Sequence, residues 1–127
     1  MNPSEQLWRK SILPSNSNIG KAIQNLEEMA IRIVLVTNDM GVLEGTISDG
    51  DIRRGLLKGL DMSSPISSII HHNALVVPPE LDYKLVLQLM VANKILQVPV
   101  VDEQYHVVGL HLWDEITTPP TLPNLMV

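Results

Sequence analysis

No cysteine occurs in the 127 residues. Disulfides, thiolate nucleophiles and Cys-based zinc sites are therefore excluded. Phenylalanine is absent too, and aromatics make up only 3%. A core must be aliphatic, and a base-stacking platform for nucleic acid has almost nothing to be built from. No apolar run approaches the ~20 residues of a membrane span. Residues 1–10 are polar, without the apolar stretch of a secretory signal. The expectation is a cytoplasmic protein with no membrane partner. Cations are in deficit: Lys plus Arg number 9 against 14 Asp plus Glu, a net charge of −5. That argues against a general nucleic-acid binder, which needs a basic face, while leaving room for a local basic pocket. His71, His72, His106 and His111 lack the spacing of metal ligands, so no metal site is expected.

What is present is 45% hydrophobic and 18% charged residues, the balance of a globular chain. The length fits one compact unit or two very small ones. Sliding the chain against itself by 64 positions settles on the second. Residues 12–54 match 76–118 without a gap, and 7 of those 43 pairs are identical: Pro14/Pro78, Gln24/Gln88, Ile31/Ile95, Val34/Val98, Val36/Val100, Gly45/Gly109 and Ile52/Ile116. Chance gives about three at ordinary residue frequencies.

The shared pattern is stronger than the identities. Each copy opens with a short apolar step into proline, Ile12-Leu13-Pro14 and Val76-Val77-Pro78, and proline ends a strand because it has no N–H for the ladder. Helical spacing follows in Ile19, Ala22, Ile23, Leu26 and Ala30, and in Leu85, Val86, Leu89, Met90 and Ala92. Ser17 or Asn18 and Asp82 are the candidate N-caps. Near-continuous β-branched runs at 31–36 and 95–101 read as strands buried on both faces. Polar turns at 38–41 and 102–104 lead into third strands at 42–47 and 106–112, then into helices over 51–57 and 113–116. The unit is β-α-β-β-α, twice. Residues 58–73, with Gly59, Pro65 and four serines, read as a connector outside the core. One 43-residue unit cannot bury its own apolar face, so the copies must pack with pseudo-two-fold symmetry and leave two related clefts. The fold class is mixed α/β (α+β), divided as a helical segment at 1–11, repeat one at 12–58, a linker at 59–73, repeat two at 74–118 and a Pro-rich tail at 119–127.

Chemistry concentrates in Gly45-Thr46-Ile47-Ser48-Asp49-Gly50-Asp51-Ile52-Arg53-Arg54. Small residues and hydroxyls sit where a buried strand turns into a helix, whose free N–H groups and dipole attract anions. Ser48 can donate to a phosphate oxygen, and an Asp carboxylate suits the paired hydroxyls of a ribose. The alternative is that Asp49 or Asp51 simply caps the helix, and that Arg53 and Arg54 form a solvated helix face.

This stretch resembles the G-h-h-T-D-G-D-h-R-R signature of CBS domains, the family named after cystathionine β-synthase. Ile95-Leu96-Gln97-Val98-Pro99-Val100-Val101-Asp102 resembles the same family's apolar-x-x-apolar-Pro-Val-x-Asp strand. The resemblance covers residues 12–118. It implies a tandem pair, or Bateman module, that binds adenosine-type ligands, regulates an attached protein and has no catalytic activity of its own. Carried over by position, cleft one takes Ser48 for phosphate or ribose and Asp51 for the ribose hydroxyls. Its walls are Asn73, Ala74, Val76, Ile95, Leu96 and Gln97, with backbone groups near Leu96 and Ala74 reading the adenine edge. Cleft two departs from the family pattern, with Leu112 at the Ser/Thr position and Glu115 at the Asp position. Its walls are Arg9, Lys10, Ile12, Ile31, Arg32 and Ile33. It is expected to be weak, altered or empty.

The expected ligand is AMP, ADP or ATP, with S-adenosylmethionine ranked behind them, and no cofactor is required. The Pro-Asn-Leu-Met-Val tail and residues 49–60 resemble bacterial sugar-phosphate nucleotidyltransferases that carry an N-terminal CBS pair. The chain reads as the regulatory part of such a transferase, not an enzyme itself, with a covalently attached catalytic domain and a homodimer formed through the CBS helices as its partners. The competing reading is a structural dimerisation module with a relic ligand site.

Overall fold

The computed structural model describes residues 8–29 and 31–117. The expectations placed on residues 1–7, Ala30 and 118–127 lie outside them. A 3-10 turn, Trp8–Ser11, leads into β1 (Ile12–Pro14), α1 (Ile19–Glu28), β2 (Val34–Thr37), β3 (Leu43–Ile47) and α2 (Asp49–Leu57). A second 3-10 turn, Ile66–Ser68, interrupts the connector. Repeat two gives α3 (Tyr83–Asn93), β4 (Gln97–Val101), β5 (Val107–Leu112) and α4 (Trp113–Thr117). The mixed α+β class and the β-α-β-β-α order are those expected.

In repeat one β1 pairs parallel with β2, and β2 antiparallel with β3. The parallel pair needs a crossover, which α1 supplies. Repeat two keeps the antiparallel β4–β5 pair, but its opening step is reduced to a single parallel bridge, Val77 to Val100. The cause is Pro99, which stands where repeat one has Leu35. Val77 donates to the Pro99 carbonyl at 3.1 Å and accepts from the Val101 N–H at 3.0 Å. Pro99 has no N–H to extend that ladder. The two antiparallel pairs shift register at equivalent places, Val36/Thr37 and Val100/Val101. Strands begin later than periodicity suggests, at Val34 and Gln97; in repeat one Arg32 (φ 68°) takes a left-handed conformation that breaks the extended run, while Lys94 (φ 56°) is the left-handed C-cap of α3.

The hairpin turns are built alike. Asn38 Oδ1 accepts from the N–H groups of Met40 and Val42 at 2.8 and 3.1 Å. Asp102 Oδ1 accepts from Gln104 and His106, both at 2.9 Å. The left-handed position is Gly41 (φ 80°) in one turn and Tyr105 (φ 68°) in the other. The copies join where Val42 bridges His106 and the Leu43 N–H reaches the Tyr105 carbonyl at 2.9 Å.

The core has three parts. One lies under α1 and α2, one joins the two copies around Trp8, Leu35, Leu43 and Val101, and one lies under α3. The connector differs from expectation, because it contributes to the first part. Ile66 is fully buried and Ile69 nearly so. Each fully buried side chain of this size contributes about 1.5–3 kcal/mol. Asn18 is the N-cap of α1, accepting from the Lys21 N–H at 2.9 Å. The connector carbonyls of Ser64 and Met62 take the N–H groups of Ile19 and Gly20 at 2.9 and 2.8 Å. Donors that a helix start leaves open thus tie the connector down. Asp82 stands at the N-cap of α3 without a side-chain cap bond.

Candidate functional site

β3 delivers the chain to Ser48, the N-cap of α2, and Ser48 and Asp51 form a capping box. Asp51 Oδ2 accepts from the Ser48 N–H at 2.9 Å and from Ser48 Oγ at 3.0 Å, while Ser48 Oγ lies 3.4 Å from the Asp51 N–H. The other carboxylate oxygen, Oδ1, accepts from Arg54 at 2.8 Å. The candidate site residues are therefore also the residues that cap the helix. Asp49, one residue past the cap, faces Arg32 at 3.5 Å, both side chains being exposed.

Ser48 and Asp51 open onto a cavity of about 560 Å³, within the range of small-ligand sites. Its far wall is Ile95, Leu96 and Gln97 from repeat two, and its end is Asn73 and Ala74. Among the wall residues expected for cleft one, Val76 is placed elsewhere, on a second cavity. Sequence reasoning missed Thr46, His71, Asn93, Lys94 and Arg54, which also line the cleft. Thr46 and His71 exchange backbone hydrogen bonds at 3.1 and 2.9 Å, so the connector touches β3 through a single antiparallel bridge. Gly45 permits this, because a Cβ there would lie 2.5 Å from the His71 carbonyl oxygen. The Leu96 carbonyl already accepts from the Trp113 N–H at 2.9 Å, which leaves one lone pair for a ligand. The charged side chains around the cleft are Asp51, Arg54 and Lys94, an excess of positive charge inside an acidic protein.

The second cavity, about 490 Å³, lies between 76–80 and 101–105. Its carboxylates are Glu80, Asp102 and Glu103, with no cation among its lining residues. The N–H of His106, followed by that of Gln104, holds the Asp102 carboxyl below its ordinary value against the opposing effect of desolvation. Such a lining opposes a phosphate.

The positions assigned to cleft two are arranged differently. Ile12, Ile31, Ile33 and Leu112 pack in one apolar cluster with Trp8, which is 3% exposed; Ile33 also lines cleft one. The Lys10 carbonyl accepts from Asn25 at 2.7 Å, Arg9 lies over the Trp8 ring at 4.6 Å, and Arg32 is committed to Asp49. Glu115 is exposed and acts on His111, where burial pushes the imidazole below its ordinary value and the carboxylate works against that. Among the described residues no group of three or more His, Asp or Glu is placed to hold a metal ion, and no helix is long and apolar enough to cross a membrane.

Two β-α-β-β-α copies enclose a cleft between a helix cap and an apolar strand, the architecture of a tandem-repeat module. A family model for the CBS domain matches residues 9–58 and 66–110, and the chain belongs to that family as a tandem pair. It is 36% identical over 107 residues to an uncharacterized protein of Helicobacter pylori (strain J99), covering 80% of this chain and 31% of that one. It is 27% identical over 93 residues to the arabinose 5-phosphate isomerase GutQ of Salmonella typhi, covering 73% of this chain and 29% of the isomerase. The chain thus spans about three-tenths of the length of these curated relatives. Among solved structures, the CBS domain pair of protein MJ0100 in complex with 5'-methylthioadenosine and S-adenosyl-L-methionine superposes with a TM-score of 0.74 at 26% identity, covering 84% of this chain and 83% of that one. The CBS domain protein PAE2072 from Pyrobaculum aerophilum, complexed with AMP, gives 0.76 at 19% identity over 86% and 84% of the two chains, a likeness of fold.

Proposed function

We propose that this chain is the regulatory part of a larger protein, and that it binds one adenine nucleotide of the AMP, ADP or ATP class in cleft one. The observation that carries the reading is the Ser48–Asp51 pair facing Ile95, Leu96 and Gln97 across one cavity, with Arg54 and Lys94 at its edge. The apolar wall suits a purine face, the carboxylate a ribose diol and the cations a phosphate. The ligands of the MJ0100 pair, above 25% identical, support an adenosine-type ligand, and the phosphate part of the reading rests on Arg54 and Lys94. The Trp8 cluster supports a single ligand per chain, since apolar side chains pack where the second cleft would open.

The attached domain acts on a sugar phosphate. The sequence resemblance favours a nucleotidyltransferase and the Salmonella relative an isomerase. We place the module in the cytoplasm, as a homodimer through its helices. The dimer reading is supported by the exposed Leu56 and Leu57 on α2 and Leu85 and Val91 on α3. A dimerisation scaffold with a relic site is the second reading, favoured by Leu112 and Glu115 in the second copy.

A thermal-shift series with AMP, ADP, ATP and S-adenosylmethionine at about 1 mM tests the choice. A ligand with a dissociation constant near 10 μM stabilises by about 2.7 kcal/mol, or a few degrees. The expected result is a rise with the nucleotides that disappears in Asp51→Asn. That substitution is preferred to alanine, which would also remove the cap interaction at a cost of about 1 kcal/mol. No shift with any ligand would leave the scaffold reading standing.

A further inference from the structure

The free cleft presents Asp51 with its acceptors already engaged. Oδ2 takes both the N–H and the hydroxyl of Ser48, and Oδ1 takes Arg54. A carboxylate offers about four acceptor sites, so a diol that needs two finds one open. The Ser48 contacts belong to the helix cap and are fixed. The Arg54 contact is not, because that side chain is 66% exposed. It also rests over Gly50, where a Cβ would stand 3.2 Å from one guanidinium nitrogen and 3.5 Å from the other. The glycine leaves the guanidinium a clear path across the helix surface. Once displaced, Arg54 is free to take another anion, and it lines the same cavity as Asp51, with Lys94 also there.

We propose that Arg54 exchanges partners on binding, leaving Asp51 Oδ1 to the ribose diol and pairing with a phosphate of the same ligand. Arg54 is then the specificity-determining residue of the cleft. A phosphorylated adenosine supplies both replacements, the diol for Asp51 and the anion for Arg54. An uncharged adenosine offers the guanidinium no replacement anion. This deepens the adenine-nucleotide reading and rests on it.

Isothermal titration of the chain with ADP and with adenosine tests it, in the wild type, Arg54→Ala and Arg54→Lys. The wild type should prefer ADP by about tenfold or more, the scale of one charge-assisted hydrogen bond. Arg54→Ala should bind ADP about tenfold more weakly while adenosine binding holds or tightens, so the preference collapses. Arg54→Lys should restore part of it and also serves if the alanine variant folds poorly. Equal losses for both ligands, or no change in the ratio, overturn the exchange while the nucleotide reading stands. A wild type that binds adenosine as tightly as ADP does the same. A wild type that binds neither overturns both.

Discussion

Gly45 and Gly109 are one of the identical pairs of the repeat, yet their surroundings differ. A Cβ at Gly45 would lie 2.5 Å from the His71 carbonyl oxygen and 2.9 Å from Ile70, whereas at Gly109 it would meet only Val100 at 3.5 Å. Gly45→Ala should therefore destabilise by about 1–3 kcal/mol, the cost of overpacking. Gly109→Ala should be neutral or slightly stabilising, since a strand glycine weakens the unfolded-to-folded balance by about 0.5–1 kcal/mol; chemical denaturation of the two variants measures the contrast. His111 gives a second residue-scale prediction. Burial lowers its folded value, so the unfolded chain binds more protons between the two values, and stability rises with pH there. The contribution is complete above about pH 6.5 and is lost as pH falls through the depressed folded value. Melting temperature should fall between about pH 7 and pH 5 less steeply in His111→Gln than in the wild type. Asp61 and Asp102, both held low by hydrogen bonds, chiefly from Ser63 and His106, lose their contributions only further down, below about pH 4.

Secondary elements were legible wherever a period or a cap residue carries them. The helical spacing of Ile19, Ala22, Ile23 and Leu26 places α1, and Asn18 starts it. Reading stops at features that have no period. A single left-handed residue, Arg32, shortens a run that composition alone continues. Pro99 thins a strand two segments away by withholding one donor. The same limit governs the site. Ser48, Asp51 and the 95–97 wall belong to a motif, while Thr46 and His71 reach the cleft through a ladder between distant segments. Arg54 had a signal, its i,i+3 spacing from Asp51, which a solvated arginine shares. The short N-terminal turn Trp8–Ser11 is held chiefly by the buried indole. Trp8→Ala should cost about 3–5 kcal/mol, seen as a lowered denaturation midpoint, and should loosen the packing between the copies.

At the scale of the molecule the duplication is plain in the sequence, and the pseudo-symmetry it imposes is what puts a helix cap of one copy opposite a strand of the other. The departures from that symmetry are as informative. The connector lends Ile66 and Ile69 to the core of repeat one, its carbonyls serve the start of α1, and His71 is stitched to Thr46 in both directions. The segment that was duplicated and the segment that holds together are thus different lengths of chain. Inheritance divides the protein into two similar copies, whereas stability assigns nearly all of the intervening stretch to the first. Native-state hydrogen exchange should show it: the amides of Thr46, Ile66 and His71 open as one cooperative unit. The mechanical joint between the halves then lies after residue 73, at the rim of the cleft, where the proposed nucleotide would lie across it.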